Sequence, residues 1–579
     1  MRLSLLKPRG LALGLAAMFV LAACGGSTSS TNSTNLAATQ KLTFPILGDF
    51  GSLDPGVFDA ETDSEIAQNI FSGVVKFDDG LNVVCDLCTE LPNVSSDGMT
   101  YTFKLNPAAK FSNGDPVNAA AVIYSWNRAA ALGNSYAANF APVTGFDTVS
   151  KNKLAGAELE SALEGGTVKL SGLSSTDDHT VVAKLDHPAG YFLQSLALVA
   201  TGWIVDPKVV KTDPDNWWTK PETLIGSGPY KMTARVPKQS VDFAAVDNYW
   251  GSQKPVIKTI HLDILDSAST AIAAYEQGKY DIYGFGGYSN APVDDVLRIQ
   301  KTDKEKDQLH LQPKVRSYWV SYNLTCGGAR PAKGPFCGPE GTSGAAHDLR
   351  LAFALAVDKS VLTNVVCKNI VCKPLTGGLI VQGLAGAGAP DSDPLAKFDA
   401  ARAKSLLKTA DPSGSLTKGL TYTYDPNNPL NKPTAENLAD QWNTNLGVKV
   451  DIQPVDHSAF IKSRLKGGYV MSRDGWQADY NHPQDWYDNL YGTNAGGPDH
   501  TTSGFVSKTY DDTLNTADAK KLADATSDYA KLSKQLEDDA AYIPLYYSVG
   551  AFLFKPYVKN AGTNNFFDHY WSDMSILQH

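Results

Sequence analysis

The sequence lacks the features that mark several large classes of protein. After residue 24 it has no run of 18 or more apolar residues, so no later segment is long enough for a transmembrane helix. Its 51 lysines and arginines are outnumbered by 61 aspartates and glutamates, and no basic cluster indicates a nucleic-acid partner. The hydrolase motifs Gly-x-Ser-x-Gly and His-Glu-x-x-His are missing. We interpret the net charge of −10 as a contribution to solubility.

The N-terminus has the composition of an export signal. Three basic residues among the first nine precede the apolar stretch Leu11–Ala23, which is shorter than the roughly 20 residues that a bilayer core requires. Small residues precede Cys24, and Leu21-Ala22-Ala23-Cys24 resembles the bacterial lipobox, whose cysteine receives lipid and becomes the new N-terminus. We therefore predict a signal peptide over residues 1–23 and a lipid anchor on Cys24. The alternative is a signal peptide that an unrelated cysteine happens to follow.

A polar segment follows the predicted anchor. Gly25–Asn35 contains no apolar residue, so it cannot bury enough surface to become ordered. We predict a disordered tether over residues 24–40 and a folded body that begins near Lys41. The mature protein would then be held by its lipid on the outer face of the cell membrane.

The remaining six cysteines form three couples that are close in sequence. An exported protein meets an oxidising environment, so three local disulfides are the use that we predict, although six cysteines allow 15 connectivities. A redox or zinc role for the CxxC couple is the alternative, but no βαβ pattern and no second CxxC accompany it. We predict no metal site and no cofactor. The predicted pairs are Cys85 with Cys88, Cys326 with Cys337, and Cys367 with Cys372.

The patterns of apolar residues predict a mixed α/β protein without internal repeats. Strands are predicted where polar and apolar residues alternate or where a short apolar run occurs, and helices where apolar residues recur on one face. Capping residues support the helix ends, with Asn118 and Asp348 at the starts and Gly447 at an end. The predicted strands are Thr100–Leu105, Val448–Ile452 and Tyr542–Phe554, and the predicted helices are Asn118–Ala131, Asp348–Thr363 and Pro433–Leu446. We expect the late strand to return to a sheet begun near the N-terminus.

Eight short motifs occur along the sequence in a characteristic order. They are Gly51–Pro55 (GSLDP), Asp97–Leu105 (DGMTYTFKL), Lys110–Ala119 (KFSNGDPVNA) with Tyr124–Arg128 (YSWNR), Gly226–Tyr230 (GSGPY), Asn248–Gly251 (NYWG), Asp348–Ala352 (DLRLA) with Ala356–Lys359 (AVDK), Gly475–Tyr480 (GWQADY) and Ala541–Tyr546 (AYIPLY). Together they resemble the extracytoplasmic solute-binding proteins of the peptide and nickel group, solute-binding family 5, which feed ABC importers. The resemblance extends from Lys41 to His579.

The resemblance implies a particular α/β architecture. Two lobes of periplasmic-binding-protein-like fold close on a ligand, and an extra domain is inserted in the first lobe. Carried onto this chain, lobe one comprises residues 41–80, 222–316 and 549–579. The inserted domain comprises residues 81–221, and lobe two comprises residues 317–548.

The resemblance also implies candidate ligand-binding residues. In the oligopeptide and dipeptide binders of this group, the aspartate of Trp-x-Ala-Asp-Tyr pairs with the ligand's α-ammonium, and that position is Asp479 here. Arg473 matches a position that can face the ligand's carboxylate, and Tyr136 matches a tyrosine that contacts the ligand backbone. Trp476 is a candidate wall of the cleft. The alternatives are a turn-forming Asp479, an Arg473 that serves a surface or interdomain salt bridge, and a Trp476 in the core.

The implied function is capture of short peptides for delivery to an ABC permease in the membrane, by a monomeric lipoprotein without catalytic activity. Oligosaccharides, opines and metal chelates are alternative ligands within the same group. An exported hydrolase, a surface adhesin and a signalling receptor are alternatives from other classes. One departure from the group is Gln477, which stands where some oligopeptide binders have a cysteine that forms a disulfide across the second lobe.

Overall fold

The computed structural model describes residues 35–58, 60–134, 136–288, 290–325, 334–337, 344–464, 466–493, 503–562 and 570–579. The predicted signal peptide, the lipid-anchor residue Cys24 and Cys326 lie outside these ranges. Within them, no helix has both the length and the apolar character needed to cross a bilayer.

Nineteen strands form within the described residues. In chain order, β1 to β19 are Lys41–Leu47, Val75–Phe77, Val83–Cys85, Asn93–Val94, Thr100–Lys104, Leu173–Asp177, Thr180–Lys184, Tyr230–Val236, Ser240–Ala245, Thr259–Leu265, Ile282–Tyr283, Leu309–Tyr322, Cys372–Pro374, Leu420–Tyr424, Val450–Pro454, Met471–Gln477, Tyr542–Phe554, Val558–Lys559 and Ser575–Ile576.

Sixteen α-helices lie between and after these strands. In chain order, α1 to α16 are Glu61–Ala67, Ala119–Leu132, Phe146–Val149, Gly156–Glu164, Phe192–Ala197, Pro207–Val210, Ala268–Glu276, Val293–Gln300, Ala345–Leu355, Lys359–Cys367, Ala400–Ala410, Asn431–Leu446, His457–Arg464, Gln484–Tyr491, Lys508–Asp518 and Leu522–Asp538. Short 3₁₀ segments occur at Ala137–Phe140, Val199–Thr201, Lys306–Gln308, Pro394–Ala396 and Trp571–Asp573.

Three larger sheets organise the described chain. A four-stranded sheet has the order β1-β10-β9-β8, with β1 parallel to β10. A second four-stranded sheet, in the inserted domain, has the order β4-β5-β7-β6. A seven-stranded sheet has the order β11-β17-β12-β16-β14-β15, and β13 also pairs with β17.

The two long strands of the seven-stranded sheet connect the lobes. β12 and β17 are antiparallel from Leu309 opposite Leu553 to Ser321 opposite Tyr542. Most of β17 packs in the large core of this sheet, but Phe552 packs in the core of the first sheet with Phe44. Tyr542–Phe554 is thus a strand with the predicted bounds. The sheet to which it returns was predicted wrongly, because its ladder partners are β11, β12 and β13 and not a strand near the N-terminus.

The buried apolar residues of the described chain divide into three clusters. Their limits differ from the predicted domain ends. Residues 198–217 were assigned to the inserted domain, yet Leu198 and Trp217 pack in the core around the first sheet. Val74 and Phe77 were assigned to lobe one but pack in the core of the inserted domain. Contacts between residues that are far apart in the sequence set the limits of the three clusters, and short sequence motifs do not reveal such contacts.

One predicted helix is interrupted by a residue that caps a second helix. The predicted helix Asp348–Thr363 is two helices, α9 and α10, because Asp358 begins a new one. Its carboxylate accepts the main-chain N–H groups of Ser360 and Val361 at 2.9 and 3.1 Å, which satisfies the first turn of α10.

The predicted cap at Asp348 is wrong, because α9 begins at Ala345 after Gly344 and Asp348 lies within its first turn. The predicted caps at Asn118 and Gly447 agree with the structure. The Asn118 side chain accepts the N–H of Ala121 at 3.0 Å at the start of α2. Gly447 ends α12 with a φ of 75°, a conformation that glycine adopts without strain. That helix begins at Asn431, two residues before its predicted start, and the strand after it runs from Val450 to Pro454.

The chain just before β1 is tied to the C-terminus. The N–H of Ala37 donates to the carbonyl of Ile576 at 2.8 Å, and the N–H of Gln578 donates to the carbonyl of Asn35 at 2.9 Å. The Gln40 side chain also donates to Ile576 at 2.8 Å. The predicted tether therefore cannot extend to residue 40, because Asn35, Ala37 and Gln40 are hydrogen-bonded to the folded body.

Two of the three predicted cysteine couples are disulfides in the structure. Cys85 is bonded to Cys88, and Cys367 is bonded to Cys372. Cys337 is disulfide-bonded as well, and the residue predicted to pair with it lies outside the described ranges.

Candidate functional site

The candidate site forms where β16 ends. β16 lies between β12 and β14, with Gln477 directly opposite Arg316 on β12. The N–H of Ala478 still donates to the carbonyl of Val315 at 2.9 Å, which extends the strand by one residue. The chain then leaves the sheet toward α14. Asp479 therefore stands at the end of a rigid strand, a frequent position for functional residues.

Asp479 meets the inserted domain. The hydroxyl of Tyr136 donates to Oδ1 of Asp479 at 3.1 Å. Although part of the Asp479 side chain stays accessible, the dense surrounding protein disfavours its charged form. This burial raises the pKa of Asp479 to about 7, against a smaller opposing effect of the hydrogen bond from Tyr136.

A second carboxylate lies directly behind the first. Asp485, in the first turn of α14, is fully buried. Its Oδ2 accepts the N–H of Asp479 at 3.0 Å and the indole N–H of Trp476 at 3.1 Å. The side chain of Asn489 donates to its Oδ1 at 3.2 Å. Burial, and then the neighbouring Asp479 carboxylate, raise the pKa of Asp485 well above its ordinary value.

This pair of acids has no cationic partner among the described residues. The contacts that act on Asp479 and Asp485 come from neutral donors and from each other, and none of the ion pairs of the described chain includes either residue. His482 lies nearby, but burial lowers its pKa to about 3, so it is neutral. A closed site with two acids and no fixed cation is suited to a ligand that brings positive charge.

The site lies in an interface that is closed in this structure. We call it the interlobe interface, and it comprises the Tyr136 to Asp479 contact and the docking of Gly190 on α15. The N–H of Gly190 donates to the carbonyl of Asp518 at 2.7 Å. A Cβ atom at residue 190 would lie 1.6 Å from the carbonyl oxygen of Lys520, so only glycine permits this approach. Tyr480, next to Asp479, packs in the core of the inserted domain.

Arg473 occupies the other end of β16 and already has a partner. Its guanidinium bonds Oδ2 of Asp425 through Nε at 3.1 Å and through a second nitrogen. His457 adds a contact of 3.4 Å to Oδ1 of Asp425. Burial tends to raise the pKa of Asp425, but Arg473 more than offsets it, so this pKa lies below the ordinary value. The structure does not bring Arg473 to Asp479.

Trp476 packs against the core and also contacts the acid pair. Its ring is half-buried and packs against the large core of the seven-stranded sheet. Its indole N–H holds Asp485, which in turn holds the main chain of Asp479. Trp476 thereby positions the loop that carries the acids.

The departure at Gln477 has a structural counterpart on β12. The residue opposite Gln477 in the ladder is Arg316. Both side chains interact with Glu61 of α1, which also forms a 2.7 Å ion pair with Lys314. Glu61 thus links α1 to Lys314 and Arg316 on β12 and to Gln477 on β16.

Sequence reasoning missed Asp485 and Arg316. Asp485 follows the Asp479 motif by six residues, and the one available signal was an acidic residue in the first turn of a helix. Nothing in the sequence pairs residue 316 with residue 477. Among the described residues, no group of three or more histidine, cysteine, aspartate or glutamate side chains is arranged to hold a metal ion.

Comparison with known proteins identifies the family of this chain. The family model of bacterial extracellular solute-binding proteins, family 5 middle, matches residues 82–498. The chain is 26% identical to the periplasmic oligopeptide-binding protein OppA of Salmonella typhimurium, over 98% of both chains. It is also 26% identical to the probable deoxycholate-binding periplasmic protein YgiS of Escherichia coli, over 93% of this chain and 94% of that protein.

A solved structure confirms the predicted fold. The Escherichia coli murein tripeptide binding protein MppA superposes with a TM-score of 0.73 at 25% identity, covering 94% of this chain and 100% of that one. The family match and this superposition confirm the predicted two-lobed α/β class. Because the family model covers most of the chain and the relatives align over nearly all of it, this chain belongs to the bacterial extracellular solute-binding proteins of family 5.

Proposed function

We propose that this protein captures short peptides with a free amino terminus and delivers them to an ABC permease. One observation carries the proposal: Asp479 lies in the closed interlobe interface with a neutral donor from Tyr136 and without a cation among the described residues. A peptide's α-ammonium supplies the missing charge.

The energetics favour closure around such a ligand. A buried carboxylate without a counter-charge costs free energy, and leaving one member of a buried ion pair unpaired costs about 3 to 5 kcal/mol. In the empty protein a proton offsets this cost, since the pKa of Asp479 is about 7. A bound ammonium takes the place of that proton. The rest of the peptide is held through its backbone as an added strand, so side chains are accepted broadly.

Hinge closure provides the signal to the permease. The open protein admits the ligand between lobe two and the other two units, and the closed form presents a surface that the permease recognises. No covalent step occurs in this subunit, and ATP hydrolysis in separate subunits supplies the energy. Both named relatives are described by what they bind, oligopeptide in one case and deoxycholate in the other.

We further propose that the protein is a monomeric lipoprotein on the outer face of the cell membrane. The support is the signal-like segment before Cys24 and the polar residues that follow it. Three local disulfides fit that oxidising location.

The test is to identify what the protein carries. The mature chain, from Cys24, is purified in detergent and denatured, and the released small molecules are identified by mass spectrometry. A set of short peptides with free amino termini is the expected result. A bile acid, a glycan or a metal chelate would contradict the proposal, because the first two have no ammonium for Asp479 and a chelate would not need one.

A binding measurement covers the case of an empty preparation. Trialanine and N-acetyl-trialanine are titrated into the same protein by calorimetry. We expect binding of the free-amine peptide and a large loss on acetylation. Equal affinity for the two peptides would rule out an amine anchor.

A further inference from the structure

A second cavity lies outside the interlobe interface. Its volume is about 640 Å³, within the range of about 300 to 1,000 Å³ that is common for small-molecule sites. One wall comes from β2, β3 and the loops beside them, and the other from the segments 249–253 and 570–573. None of the described residues that line this cavity belongs to lobe two, so it is separate from the acid pair at Asp479.

Aromatic rings line the cavity. They belong to Phe71, Phe77, Tyr249, Trp250 and Tyr570. The ring centroids of Tyr249 and Trp250 are 5.4 Å apart, so these two rings form one continuous part of the wall. The face of an aromatic ring attracts a cation, and its body packs well against apolar groups. The wall therefore offers favourable contacts both to a positive charge and to an apolar body.

The charged residues of the wall are mostly acidic. The acids are Asp78, Asp79, Asp86 and Asp573. Lys76 is the one basic residue among the described residues of the wall, and its ammonium nitrogen lies 3.6 Å from Oδ1 of Asp86. The same nitrogen lies 4.5 Å from the ring centroid of Tyr570. The cavity thus already holds one ammonium of the protein between a carboxylate and an aromatic ring.

Two of these acids have no cation in contact. Neither Asp79 nor Asp573 takes part in an ion pair of the described chain. Asp573 accepts the side-chain N–H of Gln253 at 2.8 Å, which is a neutral donor. Burial raises the pKa of Asp573, and a hydrogen bond from Ser572 and the charge of Lys76 offset only part of this effect. The side of the cavity that contains Asp79 and Asp573 is therefore short of positive charge.

We infer that this cavity binds a small organic cation, an amine attached to an aromatic or compact apolar group. The ammonium lies beside Asp79 and Asp573, and the apolar group packs on the rings of Tyr570 and Trp250. The acids repel an anion, and a neutral molecule gains nothing from their charge, so the cavity selects for a cation. The inference does not depend on the proposed function, because no residue of the interlobe interface takes part.

The experiment measures amine binding by titration calorimetry. The protein is the mature chain, from Cys24, and it carries Asp479→Asn so that the proposed amine anchor cannot bind the probe. The probes are phenethylamine, the neutral phenethyl alcohol and the anionic hydrocinnamate, which share a phenyl group and differ in charge. We expect the amine to bind at least about 10-fold more tightly than the alcohol, the effect of one charged hydrogen bond. The anion should bind more weakly than either.

Further substitutions in the same protein locate the bound amine. Asp573→Asn keeps an oxygen for Gln253 and removes the charge, so amine binding should weaken by about 10-fold while alcohol binding changes by less than about twofold. Tyr570→Leu removes a ring and should weaken amine binding by about 3- to 10-fold. Asp512→Asn removes an exposed acid of α15 in lobe two and is the control for charge loss. Melting temperatures verify that each variant is folded.

Three results would overturn the inference. The first is absence of amine binding at a probe concentration of about 10 mM. The second is equal affinity for the amine and the alcohol, which would mean that the acids do not select a cation. The third is an amine affinity that Asp573→Asn and Asp512→Asn change equally, which would mean that the amine binds outside this cavity. None of these results bears on peptide capture, which is tested at Asp479.

Discussion

The two ends of β16 carry opposite charges in opposite situations. At one end Arg473 is bonded to Asp425 within lobe two, and its charge is neutralised before any ligand arrives. At the other end Asp479 has a hydroxyl and a second carboxyl as neighbours, and its pKa is raised to about 7. Arg473 and Asp479 lie close together in the sequence. Arg473 is paired with an acid, whereas Asp479 has no cation as a partner among the described residues. The neighbours of a charged residue, and not its identity, decide whether it is structural or available to a ligand.

The largest effect is an expected loss of stability when the ion pair between Arg473 and Asp425 is broken. Asp425→Asn leaves the half-buried Arg473 without its counter-charge, so the free energy of unfolding should fall by about 3 to 5 kcal/mol. Urea denaturation followed by tryptophan fluorescence measures this loss. The double variant Asp425→Asn with Arg473→Met is the control and should recover much of it. An unchanged midpoint for Asp425→Asn would mean that the ion pair has no structural role.

At the Asp479 end of β16, the same type of substitution should reduce ligand affinity and not stability. Asp479→Asn removes an acid that lacks a cation, so the empty protein should be no less stable than wild type. Affinity for trialanine should fall by about 1.5 to 3 kcal/mol, because a charged hydrogen bond is lost. Calorimetry measures the change, with N-acetyl-trialanine as the control ligand that the substitution should not affect. A change below about twofold would remove Asp479 from the site.

The two ends should also differ in the sign of their pH dependence. The raised pKa of Asp479 means that the closed empty protein holds this proton more tightly than an unfolded chain does, so its contribution to stability is present near pH 4 and is lost as the pH rises to about 7. The lowered pKa of Asp425 has the opposite effect: its contribution is present at neutral pH and is lost as the pH falls below about 4.

Melting temperatures of the empty protein between pH 5 and 8 test the acid pair. Wild type should lose stability as the pH rises, and Asp485→Asn, which removes one of the two carboxyls while keeping an oxygen for Trp476, should show a flatter profile. Saturating trialanine should also flatten the profile, since its ammonium replaces the proton. Identical profiles for wild type and Asp485→Asn would show that the two acids do not share this effect.

The smallest effect is expected for Tyr136→Phe. It removes the single hydroxyl that reaches Asp479 from the inserted domain and keeps the ring. The loss should be about 0.5 to 1.5 kcal/mol in trialanine affinity, the usual range for one hydrogen bond. Tyr124→Phe, which alters a tyrosine bonded to Glu160 away from the interlobe interface, is the matched control. A loss as large as that of Asp479→Asn would mean that Tyr136 contributes more than this bond.

Local signals in the sequence predicted local structure well. Asn118 and Gly447 mark helix ends because capping depends on a few adjacent residues. The break at Asp358 was missed because an aspartate can either continue a helix or cap the next one. The motif containing Asp479 identified the candidate anchor. The acid behind it, Asp485, was not predicted, because its role depends on how the chain turns after β16.

Contacts between residues that are far apart in the chain could not be predicted from the sequence. Asp425 is 48 residues from Arg473, and Arg316 is far from Gln477 in the chain. No spacing rule links such pairs, since tertiary packing alone brings them together. The predicted role of Arg473 was drawn from the resemblance, and the partner that now occupies it could be found only in the folded chain.

The hydrogen bonds between residues 35–37 and residues 576–578 fasten the N-terminal segment to the C-terminus. Ile576 packs in the core of lobe one, together with Met574 and Trp571. A pull on the chain that precedes Asn35 is therefore transmitted to lobe one and bypasses the strands that join it to lobe two. The start of the described chain and the C-terminus therefore lie side by side on the same body. A reporter fused to the C-terminus would lie next to the point where the N-terminal segment enters the folded body.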